Sequence, residues 1–292
     1  AAPEMTRWCL RLVALLSFTP AKAMISAPPA AAPQWLIKVD ATIAGTHLSY
    51  RTAAWVYSPG PDYRLKLYAV GPYFTGPIAN HATDLAQIIA QEPRAAVFNG
   101  GYWDNYPFVP AGLFVQNGQT QHGFDFAKTP GGDFGQSAVV CLSKDGQFML
   151  RQTRDYASSI AQIKQDCFSS LQAGPFVVEK GESGIRQLHE RDFSIRTILG
   201  TNSAHIPTLI IFQQPVHLLV AAEFLRTKGN TTRNVVIGNK SGGSGLQSSG
   251  GLGLLDAVNL NGAAGVVCFF EGHRVAGYST LALPSAFSLQ PK

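Results

Sequence analysis

The chain has 292 residues, of which 46% are hydrophobic and 14% are charged. A chain of this length can bury a sizeable core, and its composition excludes extended disorder. Its net charge of +5 is spread out, with no run of four basic residues and no basic stripe interleaved with aromatics, so we predict no nucleic-acid partner. The 29 glycines and 18 prolines indicate many turns and short strands.

Residues 1–23 are typical of a signal peptide. Arg7 and Arg11 precede a short apolar run at 12–18, and Ala21-Lys22-Ala23 fits a small-residue cleavage site. The run is shorter than the roughly 20 residues that span a bilayer. We therefore predict a secreted or periplasmic protein without a stable membrane anchor; a buried N-terminal helix is the alternative.

An Ala/Pro-rich linker is predicted at 24–34, followed by a single domain at 35–292. Within this domain, short apolar or alternating runs separated by turn residues predict strands. The predicted strands are 35–39, 54–57, 64–70, 95–98, 112–116, 137–142, 147–151, 176–178, 208–212, 216–219, 257–262, 266–270 and 274–278.

Three helices are predicted at 84–91, 158–171 and 220–226, from their apolar spacing and length. Thr83 is expected to cap the first of them. The Gly/Ser-rich segment 239–253 is predicted to be a flexible surface loop, with a substrate lid as the alternative. The fold class is therefore predicted as α+β: mixed, largely antiparallel sheets with a few packed helices in a single domain.

Three cysteines follow the leader: Cys141, Cys167 and Cys268. They could form one disulfide and leave one thiol, but their apolar neighbours favour three core residues. The same neighbours argue against a Cys/His hydrolase, since a reactive thiol needs a setting that lowers its pKa. The sequence has no Cys or His pattern at metal-binding spacing, so we predict no metal and no cofactor. His217 is expected to be a satisfied core or edge histidine.

Four segments share one pattern, an apolar strand that ends in glycine-rich polar residues. They are Asn99-Gly100-Gly101-Tyr102, Gln172-Ala173-Gly174-Pro175, Arg196-Thr197 with Gly200, and Asn259-Leu260-Asn261-Gly262. Polar groups at a strand end can point into a cleft, and glycines let the backbone approach a ligand closely. Each segment alone is more typical of a turn.

Together and in this order, the four segments resemble the phosphodiester glycosidase family, over roughly residues 98–270. The resemblance implies that family's fold and the cleavage of a sugar-1-phosphodiester, such as an N-acetylglucosamine phosphodiester, in a glycan or glycolipid. Its substrate-binding residues would be Asn99, Gly100, Gly101, Asp104, Gln172, Gly174, Thr197, Asn259 and Gly262.

The implied reaction needs a cation for the phosphate and a carboxylate or positioned water at the sugar. Arg196 is the candidate cation. Asn261 stands where the family has aspartate, and a carboxamide can bind a sugar hydroxyl but cannot act as a base or nucleophile. Glu223 is therefore the next catalytic candidate, and Asp256 and Asp104 are the other carboxylates considered.

Two functions follow from these residues. The first is a secreted glycoside hydrolase acting on a sugar-1-phosphodiester, supported by Arg196 and by Asn99-Gly100-Gly101. The second is a catalytically impaired relative that binds carbohydrate or phosphate, supported by Asn261 and by the altered residues after Gly262.

Overall fold

The computed structural model describes residues 34–43, 46–71, 82–103, 109–125, 135–156, 160–185, 193–226, 233–240, 243–248, 251–262, 265–277 and 283–292. The predicted signal peptide, residues 24–33 of the predicted linker, and Asp104 lie outside the described residues. No helix in the described ranges is long and apolar enough to cross a membrane.

Strands dominate the described part of the chain. They are β1 (Gln34–Ile43), β2 (Thr46–Tyr57), β3 (Tyr63–Gly71), β4 (Thr83–Asp84), β5 (Ala96–Asn99), β6 (Phe114–Gln116), β7 (Gln119–His122), β8 (Ala138–Leu142), β9 (Phe148–Gln152), β10 (Ser169–Ala173), β11 (Phe176–Glu179), β12 (Glu182–Ser183), β13 (Ser194–Thr201), β14 (Pro207–Val216), β15 (Arg233–Lys240), β16 (Gly243–Ser248), β17 (Asp256–Gly262), β18 (Val267–Phe270), β19 (His273–Gly277) and β20 (Ser285–Pro291). The helices are α1 (Leu85–Gln91), α2 (Ile160–Asp166), α3 (Leu218–Arg226) and a 3-10 helix at Thr153–Tyr156. The fold is therefore β-rich, which corrects the predicted α+β class.

These strands form three sheets. One has nine strands in the order β12-β11-β17-β13-β14-β2-β1-β15-β16, one has five in the order β7-β6-β10-β8-β9, and one has six in the order β19-β18-β5-β20-β3-β4. The described pairs are antiparallel except β1 with β15 and β3 with β4. The prediction of largely antiparallel sheets is confirmed.

The three sheets share one hydrophobic core, and each carries a helix on its other face. Because side chains alternate along a strand, Leu209 of β14 faces the shared core while Ile210 packs towards α3. In the same way, α2 covers the five-stranded sheet and α1 covers the six-stranded sheet. A core common to all three sheets agrees with the predicted single domain.

Two predicted helices have different limits in the structure. The helix predicted at 158–171 ends at Asp166, because the chain then pairs as β10 with β8 and β6. The strand predicted at 216–219 is wrong from Leu218, where α3 begins. The cap of α1 is Asp84, whose carboxylate accepts from the Ala86 amide, and not Thr83.

One further prediction fails, and one strand is not predicted. The Gly/Ser-rich segment expected as a surface loop contains β16 and the end of β15, which pair antiparallel. The C-terminal strand β20 was not predicted, yet it lies between β5 and β3 in the six-stranded sheet.

Cys141 and Cys167 form a disulfide that links β8 to the end of α2. The expectation of three core thiols is therefore wrong for these two, whereas Cys268 is a free buried thiol. Burial raises the pKa of Cys268, which disfavours the thiolate that a Cys/His hydrolase would need. A disulfide is typical of proteins that fold in an oxidising compartment.

A buried carboxylate, Glu92, ties the edge of the six-stranded sheet together. Its oxygens accept hydrogen bonds from Arg64 (3.0 Å), Lys66 (2.6 Å), Tyr68 (2.9 Å) and Gln290 (2.6 Å). Burial alone would raise the pKa of Glu92, but the hydrogen bonds from Lys66 and Tyr68 and the charges of Lys66 and Arg64 bring that pKa below its ordinary value. The folded state therefore favours the ionised carboxylate.

We expect Glu92→Gln to lower the free energy of unfolding by about 2 kcal/mol at pH 7, since hydrogen bonds to a buried charge are strong. The folded-state pKa is lowered, so this stabilisation is complete above the unfolded-state pKa and is lost as pH falls through the folded-state pKa. Urea unfolding from pH 7 to pH 3 should show the two proteins converging below about pH 4. Glu179→Gln is the control, because its partner Arg154 is exposed. An equal difference at every pH would contradict the assigned charge effect.

Candidate functional site

Asn99, at the end of β5, joins the first and third of the four segments. Its side chain is fully buried. The Oδ1 atom accepts from the Thr197 hydroxyl (2.6 Å) and the Val267 amide (3.1 Å), and Nδ2 donates to the Gly100 carbonyl (3.0 Å). Asn99 thereby fixes the Asn-Gly-Gly turn of the six-stranded sheet against β13 of the nine-stranded sheet.

Asn261 joins the fourth segment to the same turn. In the pairing of β17 with β13 it lies opposite Thr197. Its Nδ2 donates to the Gly101 carbonyl (3.2 Å), and its Oδ1 accepts from the Gly262 amide (2.7 Å). An ionised aspartate could not make the first of these bonds, because a carboxylate has no donor. In this chain the carboxamide therefore holds the turn in place.

Asn259 connects the second segment to the first and fourth. Its Nδ2 donates to the Gly174 carbonyl (3.3 Å) and to the Tyr102 hydroxyl. The main chains also pair, since Gly174 donates to the Asn259 carbonyl (3.0 Å) and Asn259 donates to the Pro175 carbonyl (3.0 Å). The Asn259 Oδ1 atom is buried and has no hydrogen-bond partner in the described part of the chain.

The Gln172 side chain forms hydrogen bonds to the main chain of a neighbouring loop. Its Oε1 accepts from the amides of Leu113 (3.0 Å) and Asp125 (3.1 Å), while Nε2 donates to the carbonyls of Asp125 (3.1 Å) and Gln136 (3.2 Å). All of these partners are main-chain groups. Gln172 therefore contributes to the site by positioning, and its predicted contact with substrate remains a prediction.

Two glycines permit the close approach of these segments. A Cβ on Gly100 would overlap the Ser285 side chain, and the Gly100 amide donates to the Ser285 carbonyl (2.8 Å). Gly174 has φ +151° and would carry a Cβ into the Gly135 carbonyl. The Ser285 contact comes from β20, a strand that the sequence pattern does not predict.

Arg196 lies beside the fourth segment, on the face of β13 opposite Thr197. Its side chain is 7% exposed, and its β13 position pairs with Gly262 of β17. A Cβ on Gly262 would lie 2.9 Å from the Arg196 Nη1 atom, so the guanidinium passes directly over this glycine. Burial, and then the charge of Arg196, lower the pKa of His217. The structure thus places a buried cation over Gly262 at the end of β17, and the charge of this cation acts on His217.

His217 differs from the satisfied histidine expected from the sequence. It is buried just before α3, and its Nδ1 atom has no hydrogen-bond partner among the described residues. The sequence pattern does not reveal this environment, because it predicts a strand at 216–219, whereas β14 ends at Val216.

Of the predicted carboxylates, the described ones, Glu223 and Asp256, do not join this group of hydrogen bonds. Glu223 is buried on α3, and its oxygens accept from Arg226 Nε (2.7 Å) and Nη2 (2.9 Å). Asp256 lies at the opposite end of β17 from Asn261 and accepts from the Lys180 amide (2.9 Å). Among the described residues, no cluster of three His, Cys, Asp or Glu side chains could hold a metal ion.

No protein-family model matches the sequence, and no curated protein matches it. By structure, the chain is similar to the catalytic domain of zebrafish N-acetylglucosamine-1-phosphodiester alpha-N-acetylglucosaminidase auto-inhibited by its pro-peptide. The TM-score is 0.54 at 15% identity, over 92% of this chain and 86% of that chain. A hypothetical protein from Synechocystis (TM-score 0.46, 10% identity, 90% of this chain, 64% of that chain) and a protein from Burkholderia pseudomallei (TM-score 0.46, 12% identity, 86% of this chain, 76% of that chain) follow. The chain therefore shares a fold, and a distant structural relationship, with the glycosidase domain.

Proposed function

We propose that this protein is a secreted glycoside hydrolase that cleaves a sugar-1-phosphodiester in a glycan or glycolipid. The observation that carries the proposal is the meeting of four segments, far apart in sequence, with the buried guanidinium of Arg196 beside the last of them at Gly262. The similarity in fold to a domain named for this reaction supports the same class. The Cys141–Cys167 disulfide supports secretion.

Arg196 suits the charge that this reaction develops. Cleavage breaks the bond between the anomeric carbon and the phosphate oxygen, whose electron pair leaves with a phosphate monoester. Water adds to the sugar and gives up its proton. Because the leaving phosphate is already acidic, a cation that stabilises its charge matters more than a proton donor. The guanidinium can donate two parallel hydrogen bonds to such a phosphate, and burial strengthens them.

Asn259 is suited to recognition of the sugar. The buried Asn259 Oδ1 can accept from a sugar hydroxyl, which would satisfy an atom that the described residues leave without a partner. The attacking water still needs an orienting group. Glu223 is ion-paired and Asp256 lies at the far end of β17. We therefore assign this role to Asp104, which follows Tyr102 by two residues in the sequence.

A catalytically impaired relative that binds carbohydrate or phosphate is the second candidate. One observation favours it: Asn261, at the family's aspartate position, uses its amide to hold the Gly101 carbonyl. A residue fixed in this way keeps the Asn-Gly-Gly turn in position and does not provide a base for the reaction.

A release assay separates the two functions. The purified protein is offered UDP-N-acetylglucosamine, the methyl ester of N-acetylglucosamine 1-phosphate and related glycosyl phosphodiesters, beside Asn261→Asp. Release of free sugar by the native chain is the expected result. No sugar release by the native chain, together with turnover by Asn261→Asp, would establish the impaired relative instead. No sugar release by either protein would reject the hydrolase.

A further inference from the structure

Three rings cluster beside Arg196, at the junction of β2, β13 and α3. The Phe193 and His217 ring centroids are 4.8 Å apart, those of Tyr50 and Phe193 are 5.2 Å apart, and those of Tyr50 and His217 are 6.2 Å apart. Consecutive residues of a strand point to opposite faces. Arg196 therefore lies on the other face of β13 from Thr197, which contacts Asn99. The cluster and the Asn99 turn flank β13 from two sides.

Two buried polar groups in this cluster keep unused hydrogen-bonding capacity. The His217 Nδ1 atom has no hydrogen-bond partner in the part of the chain that the structure describes. The Tyr50 hydroxyl oxygen accepts from the His217 main-chain amide, but its own O–H donates to none of the described residues. Leaving such an atom unsatisfied costs about 1–3 kcal/mol, so buried polar groups normally have partners. Burial raises the pKa of Tyr50, so its hydroxyl stays protonated and can donate. These two atoms are positioned to meet the hydroxyl groups of a ligand.

Phe193 adds the third property of a saccharide site. Its side chain is 44% exposed although its ring packs against the buried His217 ring and the partly buried Tyr50 ring. An exposed aromatic face next to a few placed polar groups is the usual construction of a ligand pocket. The C–H face of a sugar ring fits the phenyl ring, and its hydroxyls fit the two polar atoms. An acyl chain would leave both polar atoms unsatisfied.

We propose that Tyr50, Phe193 and His217 form a saccharide subsite that binds a sugar ring whose phosphate lies at Arg196. The proposal rests on the proposed function and deepens it, because it assigns three residues that set specificity for the sugar. Neutral imidazole suits the role of His217, since its Nδ1 can donate to or accept from a hydroxyl.

The test measures binding by calorimetry, with the 1-phosphates of N-acetylglucosamine, glucose and mannose as probes and inorganic phosphate as the reference. Phe193→Ala and Tyr50→Phe should each weaken binding of the preferred sugar phosphate about tenfold and leave phosphate binding unchanged. Tyr50→Phe keeps the ring, so its packing and folding are preserved. Phe168→Ala, another exposed phenyl ring, and Tyr57→Phe, another β2 tyrosine, are the matched controls.

The outcomes separate this subsite from the hydrolase. Selective loss of sugar-phosphate binding in a protein that releases no sugar would keep the subsite and reject the hydrolase. Turnover of a phosphodiester with KM unchanged in Phe193→Ala and Tyr50→Phe would keep the hydrolase and reject the subsite. Equal weakening of sugar phosphate and inorganic phosphate, or no sugar-phosphate binding by the native chain, would also overturn the proposal.

Discussion

Arg196→Ala is expected to lower kcat/KM for a glycosyl phosphodiester by about 10³-fold, as loss of a preorganised charge donor does in other active sites. The guanidinium is 7% exposed and passes over Gly262, so its hydrogen bonds to phosphate form where water competes little. Arg196→Lys should recover only part of the rate, because an ammonium lacks the planar fork that matches two phosphate oxygens.

Two measurements and a control variant distinguish this effect from a folding defect. Thermal unfolding reports whether Arg196→Ala remains folded, and Arg154→Ala, at an exposed ion pair, is the control. Added guanidinium should restore part of the activity of Arg196→Ala, since it can occupy the vacated space. Full activity in Arg196→Ala, or a loss that matches the unfolded fraction and that guanidinium does not rescue, would contradict the assigned role.

The sequence predicts most of the strands because apolar alternation is a local signal, but it fails where long-range contacts decide. The apolar spacing at 158–171 predicts a helix, but α2 ends at Asp166. Leu171 instead faces the shared core from β10, whose partners are 27 or more residues away, for example Leu142 opposite Ser169 and Phe114 opposite Leu171. β20 contains buried Ser285 and Ser288, so it lacks an apolar run. It is held by pairing along both edges, with β3 and β5, which are distant in the sequence.

The site shows the same contrast between local sequence patterns and long-range contacts. The four segments are visible in the sequence as strand ends with glycines, but their convergence depends on pairings such as Arg196 with Gly262. The structural role of Asn261 is also not visible in the sequence, because the Gly101 carbonyl that it binds is 160 positions away. Tyr50 and His217 gave no local signal, since an unpartnered buried atom appears only once the surrounding strands and helix are packed.

Gly262→Ala is expected to lower kcat/KM by about 10²-fold while changing the free energy of unfolding by less than about 1 kcal/mol. The added Cβ would lie 2.9 Å from Arg196 Nη1 and 3.2 Å from the Ile195 carbonyl. The guanidinium is the end of a flexible side chain, so it can move aside at little cost in stability. A displacement of that size misplaces its two hydrogen bonds to the phosphate. Gly123→Ala, where the new Cβ meets nothing within 4 Å, is the control.

The decisive comparison is the double variant. If Gly262→Ala acts by moving the guanidinium, it should have no further effect on activity once Arg196 is alanine, because no guanidinium remains to be displaced. Gly100→Ala should behave differently: its Cβ overlaps Ser285, so this variant should lose folding stability together with activity. Independent, multiplicative effects of Gly262→Ala and Arg196→Ala would show that the glycine serves the site through its own backbone and not through Arg196.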